Sequence, residues 1–197
     1  MKIGIFGGSF DPVHIGHLVM ADQAREALGL DEVWFVPASS PPHKSGGTKA
    51  SPEHRVAMVE RAIDGFSPFR LSRAEIERPG LSYTADTVQT FTERYPDDRF
   101  YLIVGADMVL DLPRWHRIEQ IVKSVRVVGL MRPGVSLEDE GLPDWLRDRL
   151  ILVTEGAKVE LSSTYIRNKA AAGESIRFLV PEPVRLYMKE HRIYESR

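Results

Sequence analysis

Apolar positions along the chain are concentrated in short runs that are rich in β-branched and aromatic residues. Short runs of this composition are typical of buried strands. The stretches between them carry helix signals, such as Ser51 in an N-cap position before Pro52. The pattern predicts strands over residues 2–6, 32–36, 69–72, 99–104, 125–131 and 150–153, and helices over 15–28, 52–64, 85–94 and 114–123.

The alternation of strands and helices indicates the fold class. Strands that are almost continuously apolar favour a parallel sheet covered by helices on both faces. We therefore predict an α/β fold with a Rossmann-like, doubly wound parallel sheet. A length of 197 residues suits one hydrophobic core, so we expect a single domain over residues 1–197. After residue 154 the pattern becomes helical, which predicts a small C-terminal helical appendage with helices near 164–172 and 182–191.

One segment, residues 37–49, interrupts this alternation. It follows a predicted strand and is rich in proline, serine and glycine. Long loops in compact domains usually carry a function or move. We therefore expect residues 37–49 to be functional or mobile.

Composition narrows the classes of partner and the cellular setting. The chain has 26 Lys and Arg residues against 28 Asp and Glu residues, a net charge of −2, so it has no overall basic field for binding nucleic acid. Cysteine is absent, which excludes disulfides and Cys-ligated metals and agrees with a reducing, cytoplasmic setting. Since no apolar run approaches the length of a membrane span, we expect no membrane partner.

The segment FGGSFDPVHIGH, residues 6–17, contains the first candidate chemistry. It follows the first predicted strand, and ligands of doubly wound sheets bind beyond the carboxyl ends of the strands. Gly7 and Gly8 would let the backbone approach a phosphate or an adenine ring without interference from a β-carbon. Ser9 would donate hydrogen bonds from its hydroxyl and its N–H. The segment therefore predicts a phosphate site.

Two histidines complete this segment. The spacing of His14 and His17 predicts two imidazoles on one helix face near its N-terminus, where the helix dipole favours anions. Gly16 between them would leave room for a ligand to lie against the helix. Structural histidines beside a tight turn remain an alternative. A zinc site is a further one, but it needs a third ligand and a glutamate base, which Ile15 and Gly16 do not supply.

Other nucleotide signatures are missing from the sequence. It has no Gly-Lys-Ser/Thr phosphate loop and no Gly-x-Gly-x-x-Gly after the first predicted strand. A kinase or a dehydrogenase is therefore not favoured.

Several short motifs together resemble the nucleotidylyltransferase superfamily, and within it the bacterial nicotinate mononucleotide adenylyltransferases. Class I aminoacyl-tRNA synthetases share the His-x-Gly-His signature, but they also carry a Lys-Met-Ser-Lys-Ser-type loop that this sequence lacks. The resemblance spans most of the chain and implies the nucleotidylyltransferase fold. Its motifs are GGSFDPVHIGH at residues 7–17, PPHK at 41–44, SYTADT at 82–87, GAD at 105–107, RW at 114–115 and SSTYIR at 162–167.

The resemblance implies an enzyme that transfers AMP from ATP to nicotinate mononucleotide, giving nicotinate adenine dinucleotide and pyrophosphate. Mg²⁺ would lie on the ATP phosphates, held largely by phosphate oxygens and water, so no protein metal-ligand set is expected. The implied catalytic residues are His14, His17 and Arg167. The implied ATP-binding residues are Gly7, Gly8, Ser9, Phe10, Gly16, Gly105, Asp107, Ser162, Ser163 and Thr164.

The resemblance also implies a place for the second substrate, nicotinate mononucleotide. Trp115 would stack on the pyridine ring, and the backbone N–H groups of Thr84 and His116 would receive its carboxylate. Lys44, in the loop, would meet phosphate when the loop closes. The sequence only partly settles the preference for nicotinate over nicotinamide.

Two other functions remain open from the sequence. One is a different adenylyltransferase of the superfamily, such as phosphopantetheine adenylyltransferase, which shares the first motif but lacks the PPHK and SYTADT elements. The other is a non-catalytic nucleotide sensor on the same fold. A homo-oligomer is possible and is not readable from the sequence.

Overall fold

The computed structural model describes residues 1–40, 47–130 and 142–195, without the side chains of residues 106 and 107. The described strands form one sheet in the order β3-β2-β1-β4-β5-β6. This is the strand order of doubly wound nucleotide-binding folds, so the predicted Rossmann-like parallel sheet is confirmed. The strands are β1 Lys2–Gly8, β2 Glu32–Pro37, β3 Phe69–Leu71, β4 Arg99–Gly105, β5 Arg126–Leu130 and β6 Leu150–Val153.

Helices connect and follow these strands. All of the helices that the sequence predicts are present within one or two residues of the predicted ends, except the one over 114–123. Two single-turn helices, α4 and α6, are too short to leave a periodic signal in the sequence. The helices are α1 Ile15–Leu28, α2 Pro52–Ile63, α3 Thr84–Arg94, α4 Ala106–Val109, α5 Ile118–Ser124, α6 Asp144–Arg147, α7 Ser163–Ala171 and α8 Glu182–Glu190.

The predicted helix over residues 114–123 is wrong in its first part. A 3-10 turn over Leu112–Arg114 is followed by Arg117 with a φ of 53°, and the α-helix begins only at Ile118. A left-handed residue interrupts the run of α-helical hydrogen bonds. Arg117 pairs with the Asp86 carboxylate, a contact between distant positions that local sequence could not indicate.

Contacts between residues divide the chain into two compact units. The first unit comprises Met1–Gly7, Met20–Trp34 and Tyr83–Lys158. The second comprises Gly8–Val19, Phe35–Ser82 and Val159–Arg197. The expectation of a single domain stays a prediction.

The core of the first unit is built on closely packed parallel strands. Strand β1 pairs with β4, β4 with β5 and β5 with β6, all parallel. A β-carbon on Gly4 would lie 2.6 Å from Ile103 Cδ1, so the packing of β1 requires glycine there. Trp34 packs edge-on against three aromatic rings at centroid distances of 5.0 to 5.7 Å: those of Phe91, Tyr95 and Phe100.

The second unit contains the two helices of the predicted C-terminal appendage, α7 and α8. Helix α8 packs against α2, whose start has the predicted cap: Ser51 Oγ accepts a hydrogen bond from the His54 N–H at 3.3 Å. None of the helices in the described part of the chain has the length and apolar character needed to cross a membrane.

Candidate active site

The glycine-rich segment is shaped by the burial of Phe10. This residue has a φ of 46°, and its ring is 1% exposed. A β-carbon on Gly8 would lie 3.0 Å from Phe10 Cζ, so Gly8 makes room for that ring. A β-carbon on Gly7 would meet nothing within 4 Å, so close approach of a ligand remains the reason for glycine there. The Phe10 side chain therefore supports the segment from the core, and the predicted contact with ATP is left to its backbone.

The two motif histidines form a stacked pair. Their ring centroids lie 3.6 Å apart with an interplanar angle of 23°. His14 precedes the first residue of α1, and His17 lies in its first turn, with the Phe10 ring edge 5.1 Å away by centroids. The sequence correctly predicted that the two imidazoles lie together, although only one of them belongs to the helix.

Backbone hydrogen bonds set the orientation of both rings. The His14 N–H donates to His17 Nδ1 at 3.2 Å, and the His17 N–H donates to His14 Nδ1 at 3.4 Å. A ring nitrogen that accepts a hydrogen bond carries no proton, so a neutral ring in this arrangement is protonated on Nε2. In that form, Nε2–H is the hydrogen-bond donor of each ring.

Burial also fixes the charge of His14. The residue is 4% exposed, and desolvation lowers its pKa from 6.5 to about 4. His14 is therefore neutral near pH 7 and offers one N–H donor instead of a positive charge.

The structure gives a further reason for glycine at position 16, and the predicted ligand contact there stays a prediction. A β-carbon there would lie 3.1 Å from His14 Nδ1 and 3.2 Å from His14 Cε1, with Val159 Cγ1 at 3.6 Å. These distances are short for carbon contacts in a packed interior. The space left by the missing β-carbon is taken by the His14 imidazole, so Gly16 serves the histidine pair directly.

The predicted late anion site lies at the start of helix α7. Ser162 caps the helix, its Oγ accepting from the Tyr165 N–H at 3.2 Å. Ser163 Oγ donates to the Pro12 carbonyl at 2.9 Å, which leaves its backbone N–H as the donor for an anion. The exposed Thr164 accepts from Arg167 Nη2 at 3.0 Å, so its hydroxyl hydrogen can point elsewhere.

Arg167 connects this helix to the histidine motif. Its Nη1 donates to the Asp11 carbonyl at 2.8 Å, and its side chain is 18% exposed. A guanidinium has five N–H donors, so these bonds leave others for phosphate oxygens. The structure therefore bonds Arg167 of α7 to the segment that contains His14 and His17, and the catalytic roles of the three residues stay predictions.

Sequence reasoning missed a buried polar network beneath the motif. Arg55 of α2 is fully buried, and its Nη1 donates to the Ser9 carbonyl at 2.7 Å and its Nη2 to the Ser39 carbonyl at 3.2 Å. Burial lowers the pKa of Arg55, and the nearby Asp11 carboxylate opposes that change. The available signal was the position of Arg55 on the otherwise apolar face of α2.

Asp11 is the second missed residue. Its carboxylate is 1% exposed and accepts hydrogen bonds from the backbone N–H groups of Lys49 at 2.8 Å and Ala50 at 2.9 Å. The hydroxyl of Tyr194 donates to the same carboxylate at 2.7 Å. Asp11 stands inside the quoted motif, and a carboxylate in a predicted phosphate site was a signal for an inward-facing, structural role.

The predicted residues for ribose and pyridine belong to the first unit. Gly105 ends β4 and precedes the single turn α4, which contains Asp107. The Asp107 side chain lies outside the described atoms, so its contact with ribose stays a prediction. Lys44 also lies outside the described residues.

Thr84, Trp115 and His116 also lie in the first unit. Thr84 is the first residue of α3. Trp115 is half-buried, and its backbone N–H donates to the Leu112 carbonyl at 3.0 Å. His116 is exposed, and its ring lies 4.3 Å by centroids from the ring of Tyr83, which the sequence did not single out.

No three His, Cys, Asp or Glu side chains lie close enough to hold a metal ion within the described residues. The Asp11 carboxylate, within the same motif, is engaged by two backbone N–H groups and by the Tyr194 hydroxyl. The donor set of this site is thus suited to anions.

Known proteins resemble this chain over its whole length. A family model described as cytidylyltransferase-like matches residues 5–169. A protein of Bacillus pumilus (strain SAFR-032) named "Probable nicotinate-nucleotide adenylyltransferase" is 44% identical over 99% of both chains. The nicotinate-nucleotide adenylyltransferase of Bacillus subtilis (strain 168) is 40% identical over 99% of both chains.

A solved structure supports the fold. The Plasmodium falciparum nicotinic acid mononucleotide adenylyltransferase complexed with NaAD superposes with a TM-score of 0.80, covering 98% of this chain and 97% of that one at 20% identity. At that identity the likeness concerns the fold alone. The family match and the two bacterial relatives lead to one conclusion: the chain belongs to the cytidylyltransferase-like family and, within it, to the nicotinate-nucleotide adenylyltransferases.

Proposed function

We propose that this protein transfers AMP from ATP to nicotinate mononucleotide, forming nicotinate adenine dinucleotide and pyrophosphate. The observation that carries the proposal is the stacked pair of His14 and His17 at the start of α1, whose reciprocal hydrogen bonds to Nδ1 leave Nε2 as the donor nitrogen of each neutral ring. The full-length relatives named as nicotinate-nucleotide adenylyltransferases support the choice of substrates.

The reaction requires little covalent chemistry from the protein. A phosphate oxygen of nicotinate mononucleotide attacks the α-phosphorus of ATP, and the bond from that phosphorus to the bridging oxygen breaks as pyrophosphate leaves. The attacking phosphate is already ionised, so no general base is needed. Catalysis then consists of positioning and of stabilising charge on the phosphoryl oxygens.

The second unit supplies groups for that charge. His17 would donate from Nε2 to an α-phosphate oxygen in the transition state, with neutral His14 as a second donor. Arg167 and the N-terminal turn of α7, including Ser162, Ser163 and Thr164, would hold the β- and γ-phosphates that leave. Helix α7 has nine residues, and its capped start already faces the motif through the bond from Ser163 to the Pro12 carbonyl.

The family resemblance implies a second set of groups, for the nucleosides. Gly105 and Asp107 would meet the ATP ribose, and Trp115 would stack on the pyridine ring. The N–H groups of Thr84 and His116 would receive the carboxylate of nicotinate. The position of Thr84 at the start of an 11-residue helix supports this, because such a start favours a negative charge.

Mg²⁺ on the ATP phosphates remains part of the proposal. The described residues offer no carboxylate cage, and Mg²⁺ at phosphates is commonly held by phosphate oxygens and water. When bound, the ion would neutralise phosphate charge. The cytoplasmic setting, the lack of nucleic-acid partners, a possible homo-oligomer and the role of Lys44 also stay predictions.

Pyrophosphate release tests the proposal directly. The purified protein with ATP and Mg²⁺ should release pyrophosphate with nicotinate mononucleotide and not with 4′-phosphopantetheine. The His17→Ala variant should lower kcat by roughly 100-fold or more, the usual cost of losing one transition-state donor. The matched control is His54→Ala, which removes a histidine bonded to Tyr187 in the same unit and should leave kcat unchanged.

Three results would contradict the proposal. If the protein consumed 4′-phosphopantetheine and did not consume nicotinate mononucleotide, the proposed acceptor substrate would be wrong. Tight ATP binding without pyrophosphate release for either acceptor would indicate a sensor. Normal turnover by folded His17→Ala would remove His17 from the mechanism.

A further inference from the structure

Tyr194 reaches the histidine motif from a distant part of the chain. After α8 the backbone turns through two residues in the left-handed region, Arg192 with a φ of 50° and Tyr194 with a φ of 67°. The Ile193 N–H donates to the Met188 carbonyl at 2.9 Å and holds this turn against the helix. The turn brings the Tyr194 hydroxyl to Asp11 Oδ1 at 2.7 Å, across 183 positions of sequence.

Asp11 is the residue through which that contact acts. Its carboxylate accepts from Tyr194 and from the backbone of Lys49 and Ala50, while its carbonyl accepts from Arg167. Four distant donors therefore converge on one buried residue. The next residues along the chain, Pro12 and Val13, lead directly to His14.

We propose that Tyr194 is a positioning residue for adenylyl transfer, because its hydroxyl fixes the Asp11 carboxylate and thereby the backbone that carries His14 and receives Arg167. This inference rests on the proposed function. Tyr194 is a positioning residue because the contact described for its hydroxyl is to Asp11, and its effect on the phosphates passes through that carboxylate.

The arrangement of charges explains why one hydroxyl matters. Arg167 Nη1 lies 3.9 Å from Asp11 Oδ2, too far for a close ion pair, and 2.8 Å from the Asp11 carbonyl. Without the Tyr194 hydroxyl, Asp11 Oδ1 keeps only the Ala50 N–H as a donor. A buried carboxylate that loses a hydrogen-bond donor is destabilised, and an approach of another donor relieves that cost. The nearest cation is Arg167. A closer ion pair would draw the guanidinium away from the phosphates.

The Tyr194 hydroxyl keeps the same protonation state across the working pH range. Burial and the charge of Asp11 raise its pKa above the ordinary value, so the hydroxyl keeps its proton and donates at every pH at which the enzyme works. The contact therefore gives a fixed geometry and does not titrate.

The test compares two tyrosine-to-phenylalanine variants. Tyr194→Phe removes the hydroxyl that reaches Asp11. Tyr187→Phe is the matched control, because its hydroxyl is also bonded within the second unit, to His54 Nδ1 at 2.9 Å, and does not involve the motif. Both proteins should fold, as judged by thermal unfolding. Initial rates are measured well below the lower melting temperature, with each substrate varied in turn.

We expect Tyr194→Phe to lower kcat about tenfold, equal to about 1.4 kcal/mol of activation free energy, and to leave KM for nicotinate mononucleotide within about twofold. Tyr187→Phe should keep the kcat of the unaltered enzyme. A purely structural role for Tyr194 would lower the melting temperature of Tyr194→Phe and leave its kcat equal to that of Tyr187→Phe.

A double-mutant cycle identifies the route of the effect. If Tyr194 acts through Asp11, the Tyr194→Phe change should cost little further kcat in an Asp11→Asn background. Equal kcat for Tyr194→Phe and Tyr187→Phe would overturn the inference, as would additive losses in the cycle. If the unaltered protein forms no dinucleotide, the proposed function itself fails, which is a different result from an active enzyme indifferent to Tyr194.

Discussion

The buried, neutral state of His14 predicts a specific loss of stability in acid. The folded protein lowers the pKa of His14 from 6.5 to about 4, because burial penalises the charged ring. Between these two values the unfolded chain binds the proton and the folded chain does not. The free energy of unfolding therefore falls as pH falls through this window and recovers as pH rises above 6.5.

The size of this loss in the free energy of unfolding follows from the shift in the pKa of His14. One pKa unit corresponds to about 1.4 kcal/mol, so His14 accounts for about 3 kcal/mol of stability at neutral pH that is lost by pH 4. This is a large share of the total for a domain, since native proteins are stable by about 5–15 kcal/mol. The perturbation is the His14→Asn variant, which keeps a polar side chain and removes the titrating group.

Urea unfolding followed by tryptophan fluorescence measures the difference. Both proteins are unfolded at a series of pH values from 7.5 down to 4, and the free energies of unfolding are compared at each pH. Carboxylates and the other histidines titrate in both proteins, so their contributions cancel. The unaltered protein should lose about 3 kcal/mol more than His14→Asn across the window. Parallel profiles would refute the assignment of a buried, neutral His14.

Three further predictions follow from the site. Gly16→Ala should lower kcat at least several-fold by displacing the His14 ring, while the melting temperature stays similar because alanine gains about 1 kcal/mol of helix propensity. Asp86→Asn should raise KM for nicotinate mononucleotide about threefold to tenfold at constant kcat, because the Asp86 pair holds Arg117 left-handed beside His116. Removal of Mg²⁺ with EDTA should abolish pyrophosphate release, and added Mg²⁺ should restore it.

Each of these has its own control and contrary result. Gly29→Ala, at a glycine outside the motif with a φ of 58°, should lower the melting temperature through backbone strain without lowering kcat. Normal kcat in Gly16→Ala would show that the His14 ring can move aside. Asp111→Asn removes an exposed pair with Arg114 at 3.7 Å and should leave KM unchanged. An unchanged KM in Asp86→Asn would show that Arg117 does not position His116. Full activity with EDTA present would exclude Mg²⁺ from the reaction.

Local patterns were sufficient to predict most of the sheet and its helices. Strands such as β6 and helices such as α1 have the same ends in the structure as in the prediction, because the apolar pattern that predicts them extends over a few neighbouring residues. The helix over 114–123 failed because the conformation of Arg117 accompanies a partner, Asp86, that lies 31 positions away. A short stretch of sequence carries no information about a contact between residues that far apart in the chain.

In the candidate site, too, local features could be predicted and long-range contacts could not. The pairing of His14 with His17 follows from their spacing in one turn, and the capped start of α7 follows from its serines. The supports of the motif could not be predicted, since Arg55 and Tyr194 come from separate parts of the chain and meet it only through folding. Phe10 was assigned to ATP binding from the family resemblance, and the burial of its ring is a tertiary feature that the motif alone does not reveal.

The contact between Tyr194 and Asp11 also sets an order of events during synthesis. The motif segment is made early, but it receives Ser163 after 151 further residues, Arg167 after 156 and Tyr194 after 183. At typical rates of translation, of about 5–20 residues per second, the last of these arrives roughly 10 to 40 s later. A nascent chain therefore contains His14 and His17 before the residues that support their segment have been synthesised.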